Sequence, residues 1–75
     1  MQMRCNRIIW GSGNGFNFGR IPDTKHRVER MRIPPNSNWK FMLSTDKLLY
    51  YYVSPIEYAT VEEMEQAAFN VIYGS

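Results

Sequence analysis

The sequence has little of what metal sites, disulfide frameworks and membrane segments require. Its single cysteine and single histidine offer neither an internal disulfide nor a recognised metal-ligand spacing. No apolar run approaches the roughly 18 residues that indicate a membrane span, and the N-terminal stretch has no apolar region followed by a small-residue cleavage site. We therefore expect a cytoplasmic protein with no metal ion and no membrane contact.

Catalytic groups are equally scarce. Nucleophilic catalysis would need Cys5 beside His26 together with an orienting acid, and nothing in the sequence brings the three together. His26 lies between Lys25 and Arg27, which is typical of a solvated basic residue. We predict that the protein is not an enzyme and that it has no catalytic residues and no cofactor.

Four of the five glycines lie in or beside one stretch, WGSGNGFNFGR, at residues 10–20. A dinucleotide-binding fingerprint needs glycines at offsets 0, 2 and 5. Counted from Gly11 or Gly13, the third position is Phe16 or Phe18. A Gly-Lys-Ser/Thr ending is also absent, so phosphate cradling is excluded. The stretch predicts a flexible hairpin loop, or alternatively a binding loop that presents the two phenylalanine rings.

The charges divide the chain into a basic front and an acidic back. Residues 1–32 hold seven Lys and Arg against two Asp and Glu, a formal charge of +5. Residues 33–75 hold two against five, a formal charge of −3. Either part can meet a charged partner. The alternative is a solubilising surface whose charge is merely uneven.

Arginine dominates the basic half, and its planar guanidinium suits phosphates and carboxylates better than a lysine ammonium does. Aromatic side chains lie between these arginines, where they would act as apolar anchors for a partner. Scattered solubilising charge is the alternative interpretation. The candidate partner-binding residues are Arg4, Arg7, Trp10, Phe16, Phe18, Arg20, Lys25, Arg27, Arg30 and Arg32.

The pattern predicts one domain over residues 1–75, with a basic strand-and-loop region at 1–33 and a hairpin plus helix at 38–74. The segment 26–33 fits a strand or a helix, and the flanking prolines favour a strand. In the segment 39–43, alternation places Trp39, Phe41 and Leu43 on one face. The expected strands are 3–10, 26–33, 39–43 and 48–53.

The clearest local signal is a helix between Thr60 and Gly74. Thr60 and Glu63 form a capping box, and Gly74 stands where a left-handed cap would end the helix. Its apolar stripe consists of Val61, Met64, Ala68, Val71 and Ile72. We expect an α+β fold, a small antiparallel sheet of three to four strands with one C-terminal helix packed on one face.

Residues 38–74 resemble the sheet-plus-helix layout of AP2-type DNA-binding domains and of the arm-binding domains of phage integrases. The resemblance implies the same fold and a sheet that reads DNA, although the glycine usual in the third strand is missing here. The matching residues, in order, are Trp39, Lys47, Tyr58, Thr60, Glu62, Glu63, Ala67, Ala68 and Tyr73-Gly74.

The whole chain resembles, in size and make-up, small phage-encoded proteins that bind bacterial RNA polymerase, of the Xanthomonas-phage antitermination type. The shared features are a single domain of this length, an arginine-rich N-terminal half and no catalytic set. The resemblance implies a regulator of transcription, by inhibition or antitermination, that works in the bacterial cytoplasm.

Three hypotheses about function follow. The first is a small monomeric protein of phage type that binds RNA polymerase through its basic N-terminal half. The second is a module that binds DNA or RNA directly with the same surface. The third is a structural or assembly subunit with Tyr50 or Tyr52 buried in a self-interface.

Overall fold

One antiparallel sheet and one helix make up the protein in the computed structural model, which describes residues 6–11 and 17–74. The strands pair in sequence order, so the sheet is a simple meander, and the helix follows it. The elements are β1 (Ile9–Trp10), β2 (Phe18–Arg20), β3 (Arg27–Ile33), β4 (Asn38–Ser44), β5 (Tyr52–Val53) and α1 (Val61–Tyr73). The expected α+β class with a C-terminal helix is confirmed, with five strands rather than three to four.

The additional strand, β2, lies at the end of the glycine stretch. Trp10 pairs with Gly19 across the β1–β2 hairpin, and the Gly11 N–H donates to the Phe18 carbonyl at 2.7 Å. A strand over 3–10 was expected, but β1 begins only at Ile9; residues 1–5 lie outside the described part. The stretch is thus a hairpin, whose connection at 12–16 also lies outside it.

The longest hairpin joins β3 and β4, where seven residues pair with seven. The predicted strands at 26–33 and 39–43 are confirmed to within a residue at each end. The β2–β3 connection begins at Pro22, and Asp23 has a φ of 64°, the combination typical of a type II turn. The Thr24 hydroxyl closes this turn by donating to the Ile21 carbonyl at 2.8 Å.

The predicted strand at 48–53 is wrong over its first four residues, because only Tyr52 and Val53 pair with β4. The Thr45 hydroxyl accepts the Leu48 N–H at 2.9 Å and so stabilises a loop at 45–51. Tyr50 in that loop has a φ of 52°, which no strand contains. Residues 48–51 are rich in strand formers, but the hydrogen bond to Thr45 turns their backbone away from β4.

Helix α1 has the predicted caps. The Thr60 hydroxyl accepts the Glu63 N–H at 3.1 Å, and Gly74 adopts the left-handed conformation at a φ of 75°. Phe69 is buried although the expected stripe omitted it. The helix packs on the sheet to form one core, whose buried members are Ile8, Ile21, Val28, Phe41, Leu43, Met64, Ala68 and Phe69.

Candidate binding surface

The two faces of the sheet differ completely. On the side that α1 covers, Val28 pairs with Leu43 and Phe41 lies beside them, all three fully buried. Because side chains alternate along a strand, the next residue on each strand points to the other side. We call this side the open face; within the described residues no helix packs on it. It carries Ile9, Phe18, Arg20, Arg27, Glu29, Met31, Lys40, Met42 and Val53.

An arginine pair occupies one row of the open face. Arg20 and Arg27 stand directly opposite each other on β2 and β3, an arrangement of like charges that destabilises a sheet. Both are exposed, and within the described residues neither has an ion pair or a side-chain hydrogen bond. The fold therefore places two positive charges side by side on this face.

Two grooves flank this arginine pair, and both arginines line each of them. One groove of about 250 Å³ runs beside Ile9 and Phe18. The other, of about 210 Å³, lies towards the β2–β3 turn, where Lys25 adds positive charge and Asp46 supplies a carboxylate. The pair is thus accessible from two sides.

Phe18 lies in the next row of the open face and is 64% exposed. It pairs with Glu29, whose carboxylate accepts a hydrogen bond from the Tyr50 hydroxyl at 2.7 Å. That hydrogen bond, together with the repulsion between the two negative groups, raises the pKa of Tyr50. The Tyr50 hydroxyl is thus hydrogen-bonded to the acidic side chain that lies beside the exposed Phe18 ring.

The structure separates the predicted arginines. Arg30 and Arg32 alternate with Arg27 on β3 and so lie on the helix side, paired with Phe41 and Trp39. The Arg30 guanidinium carbon is 4.0 Å from the centroid of the Trp10 ring, a cation–π contact. Arg30 and Arg32 therefore share a face of the sheet with Val28, whereas Arg27 lies on the open face.

Trp10 is built into the fold instead of standing free as an apolar anchor. Its indole N–H donates to Glu65 of α1 at 2.8 Å, and the ring is half-buried against the core. Gly19 makes room for it, since a Cβ there would lie 2.7 Å from the ring and 2.6 Å from Ile8. A partner-binding role for Trp10 and Arg30 stays a prediction.

The remaining predicted residues have separate positions. Arg4 and Phe16 lie outside the described residues, Arg7 is exposed ahead of β1, and Lys25 is exposed in the β2–β3 turn. Sequence reasoning did not include Lys40, which lies on the open face opposite Met31. The alternation of β4 placed Lys40 away from the core, but only the register puts it on the same surface as Arg27.

The described residues contain neither a group of three His, Cys, Asp or Glu side chains close enough to hold a metal ion nor a helix long and apolar enough to cross a membrane. Comparisons of the chain with protein-family models, with curated proteins and with solved structures found no match.

Proposed function

We propose that the protein is a non-enzymatic nucleic-acid-binding domain whose open face contacts the phosphate backbone. The observation that carries the proposal is the directly opposed and exposed pair Arg20 and Arg27, for which no other described residue supplies an ion pair. Holding two like charges side by side costs stability, and a phosphate between them would offset that cost. Guanidinium groups bind phosphate oxygens through two parallel hydrogen bonds.

The surroundings of the pair fit the same partner. Lys40 and Lys25 extend the positive charge along β4 and into the turn. The acidic residues of α1 lie on the opposite side of the sheet, which orients a polyanion towards the open face. This is the direct-binding hypothesis of the sequence analysis, narrowed to one surface.

The test is a salt-dependent binding measurement with matched variants. Arg27→Gln removes a charge from the open face, and Arg32→Gln removes the same charge from an exposed position on the helix side of the same strand. With labelled DNA and RNA oligonucleotides, Arg27→Gln should weaken binding and lower the slope of log affinity against log salt by about 1. Arg32→Gln should leave that slope unchanged. Equal effects of the two substitutions, or no binding at low salt, would contradict the proposal.

A second candidate, binding to bacterial RNA polymerase, is favoured by a different observation. Leu48 and Leu49, neighbours in the 45–51 loop, are exposed by 59% and 80%, and exposed apolar residues that lie together mark protein interfaces. Purified RNA polymerase should then retain the wild-type protein and lose Leu49→Ser, while Arg27→Gln has the smaller effect. Retention that is insensitive to Leu49→Ser would count against this candidate.

A further inference from the structure

We infer that the open face takes single-stranded nucleic acid, with one base stacked on Phe18 and the neighbouring phosphates on Arg20 and Arg27. The inference rests on the proposed function and deepens it by naming the form of nucleic acid. It starts from an aromatic ring that the fold leaves uncovered on the same surface as the cationic pair.

Phe18 is a costly residue to leave exposed. Its ring is 64% exposed, although the core beneath the same sheet is built from apolar side chains such as Phe41. On β2, Phe18 and Arg20 project from the same side, two residues apart, which is about 6.8 Å along a strand. Bases and phosphates alternate along a nucleic-acid chain, so a base can stack on the Phe18 ring while the next phosphate binds the Arg20 guanidinium.

The shape of the surface favours a single strand over a duplex. A duplex offers a protein only the edges of its bases, whereas a single strand can splay a base and present its flat face to an aromatic ring. The groove beside Phe18, at about 250 Å³, is smaller than the roughly 300–1,000 Å³ of pockets for drug-sized ligands. It is lined by Ile9, Arg20 and Arg27, so apolar and cationic groups meet within it, as a single base with its phosphate requires.

The flanking residues of the open face are compatible with this occupant. Met42 and Val53 continue the row of Phe18 beyond Glu29, and soft apolar side chains accept the faces of further bases. The Glu29 carboxylate keeps acceptor capacity beside the ring, because the Tyr50 hydroxyl occupies only one of its oxygens.

The test compares three labelled probes of equal length and sequence: single-stranded RNA, single-stranded DNA and the DNA duplex. Fluorescence anisotropy is measured for the wild-type protein, for Phe18→Leu and for the control Leu49→Ala, which removes exposed apolar surface from the 45–51 loop instead of from a strand of the sheet. The wild-type protein should bind at least one single strand more tightly than the duplex. Phe18→Leu should weaken single-strand binding at least about fivefold, and Leu49→Ala should leave it unchanged.

A second readout locates the contact. Ultraviolet crosslinking of the wild-type complex followed by mass spectrometry should place the crosslinked base on the peptide that contains Phe18. Tighter binding of single-stranded RNA or of single-stranded DNA identifies which of the two nucleic acids the protein prefers, and either preference supports the inference. Duplex binding as tight as single-strand binding, unaffected by Phe18→Leu, would overturn the inference while leaving the proposed function standing; binding to no probe would overturn both.

Discussion

The helix face and the open face use the same strands for opposite purposes. On the helix face, Phe41 is fully buried and stacks on Tyr52 at a centroid distance of 5.7 Å, so its packing stabilises the fold. On the open face, Phe18 and the Arg20–Arg27 pair contribute exposed surface and repulsion. Residues that cost stability without packing mark the surface where a partner would supply the missing contacts.

The largest expected difference in the free energy of unfolding is between two phenylalanine-to-alanine substitutions, one on each face. Phe41→Ala should lower the free energy of unfolding by about 3–5 kcal/mol because it leaves a cavity in the core, which is enough to unfold a small domain. Phe18→Ala should change it by less than about 0.5 kcal/mol because the ring is mostly exposed. Urea denaturation measures both. A large loss for Phe18→Ala would mean that its ring belongs to the core, and the open face would lose its aromatic platform.

Gly19 lies on the helix side of β2, between Phe18 and Arg20 of the open face. Gly19→Ala should destabilise the protein by about 1–3 kcal/mol, because the added methyl group would press against Trp10 and Ile8. Arg20→Ala, one residue further along the same strand, should be neutral to slightly stabilising, because its side chain is exposed and its removal relieves the repulsion with Arg27. Thermal unfolding followed by tryptophan fluorescence measures the midpoint of each variant. Equal midpoints for the two variants would contradict the packing of the indole over the glycine.

The smallest effect concerns the hydrogen bond between Tyr50 and Glu29 on the open face. The folded state raises the pKa of Tyr50 above its ordinary 10.0. The stabilisation from this bond is therefore fully present below pH 10 and is lost as the pH rises through the folded-state value. The stability difference between the wild-type protein and Tyr50→Phe should shrink between pH 8 and pH 11, as measured by urea unfolding. Burial raises the pKa of Tyr51 in both proteins, so it cancels in the comparison; a difference that stays constant would contradict the bond.

Much of the fold was readable from local patterns. The helix follows from Thr60 and Gly74, which satisfy the free backbone groups at its two ends without help from the rest of the chain. The β4 strand follows from the alternation of Trp39, Phe41 and Leu43. These signals are carried by neighbours in sequence, so one chain suffices to detect them.

The 48–53 segment and β2 could not be read in this way. The run of strand formers at 48–51 is overruled by the Thr45 bonds and by the left-handed Tyr50. Conversely, Gly19 weakens the local strand signal of β2, but pairing with β1 and β3 on both sides holds it in the sheet. In the first case a hydrogen-bonded turn outweighs strand propensity, and in the second the pairing with two neighbouring strands does.

The candidate surface shows the same division. Arginine content and the exclusion of phosphate-loop motifs were available from the sequence, and so was the alternation within each strand. The register between strands was not, because it depends on the turn at Pro22 and on which side of the sheet buries Val28. A shift of one residue would exchange Arg27 for Val28 on the buried side.

The sequence by itself determined the helix with both caps, the strands β3 and β4 and a basic N-terminal half. The tertiary structure decided which basic residues act together, separating Arg20 and Arg27 from Arg30. It also decided the role of Trp10, whose partner Glu65 lies 55 residues away. The physical reason is that caps and alternation are local, whereas a shared surface and a distant hydrogen bond exist only once the strands pair and the helix packs on one side of them.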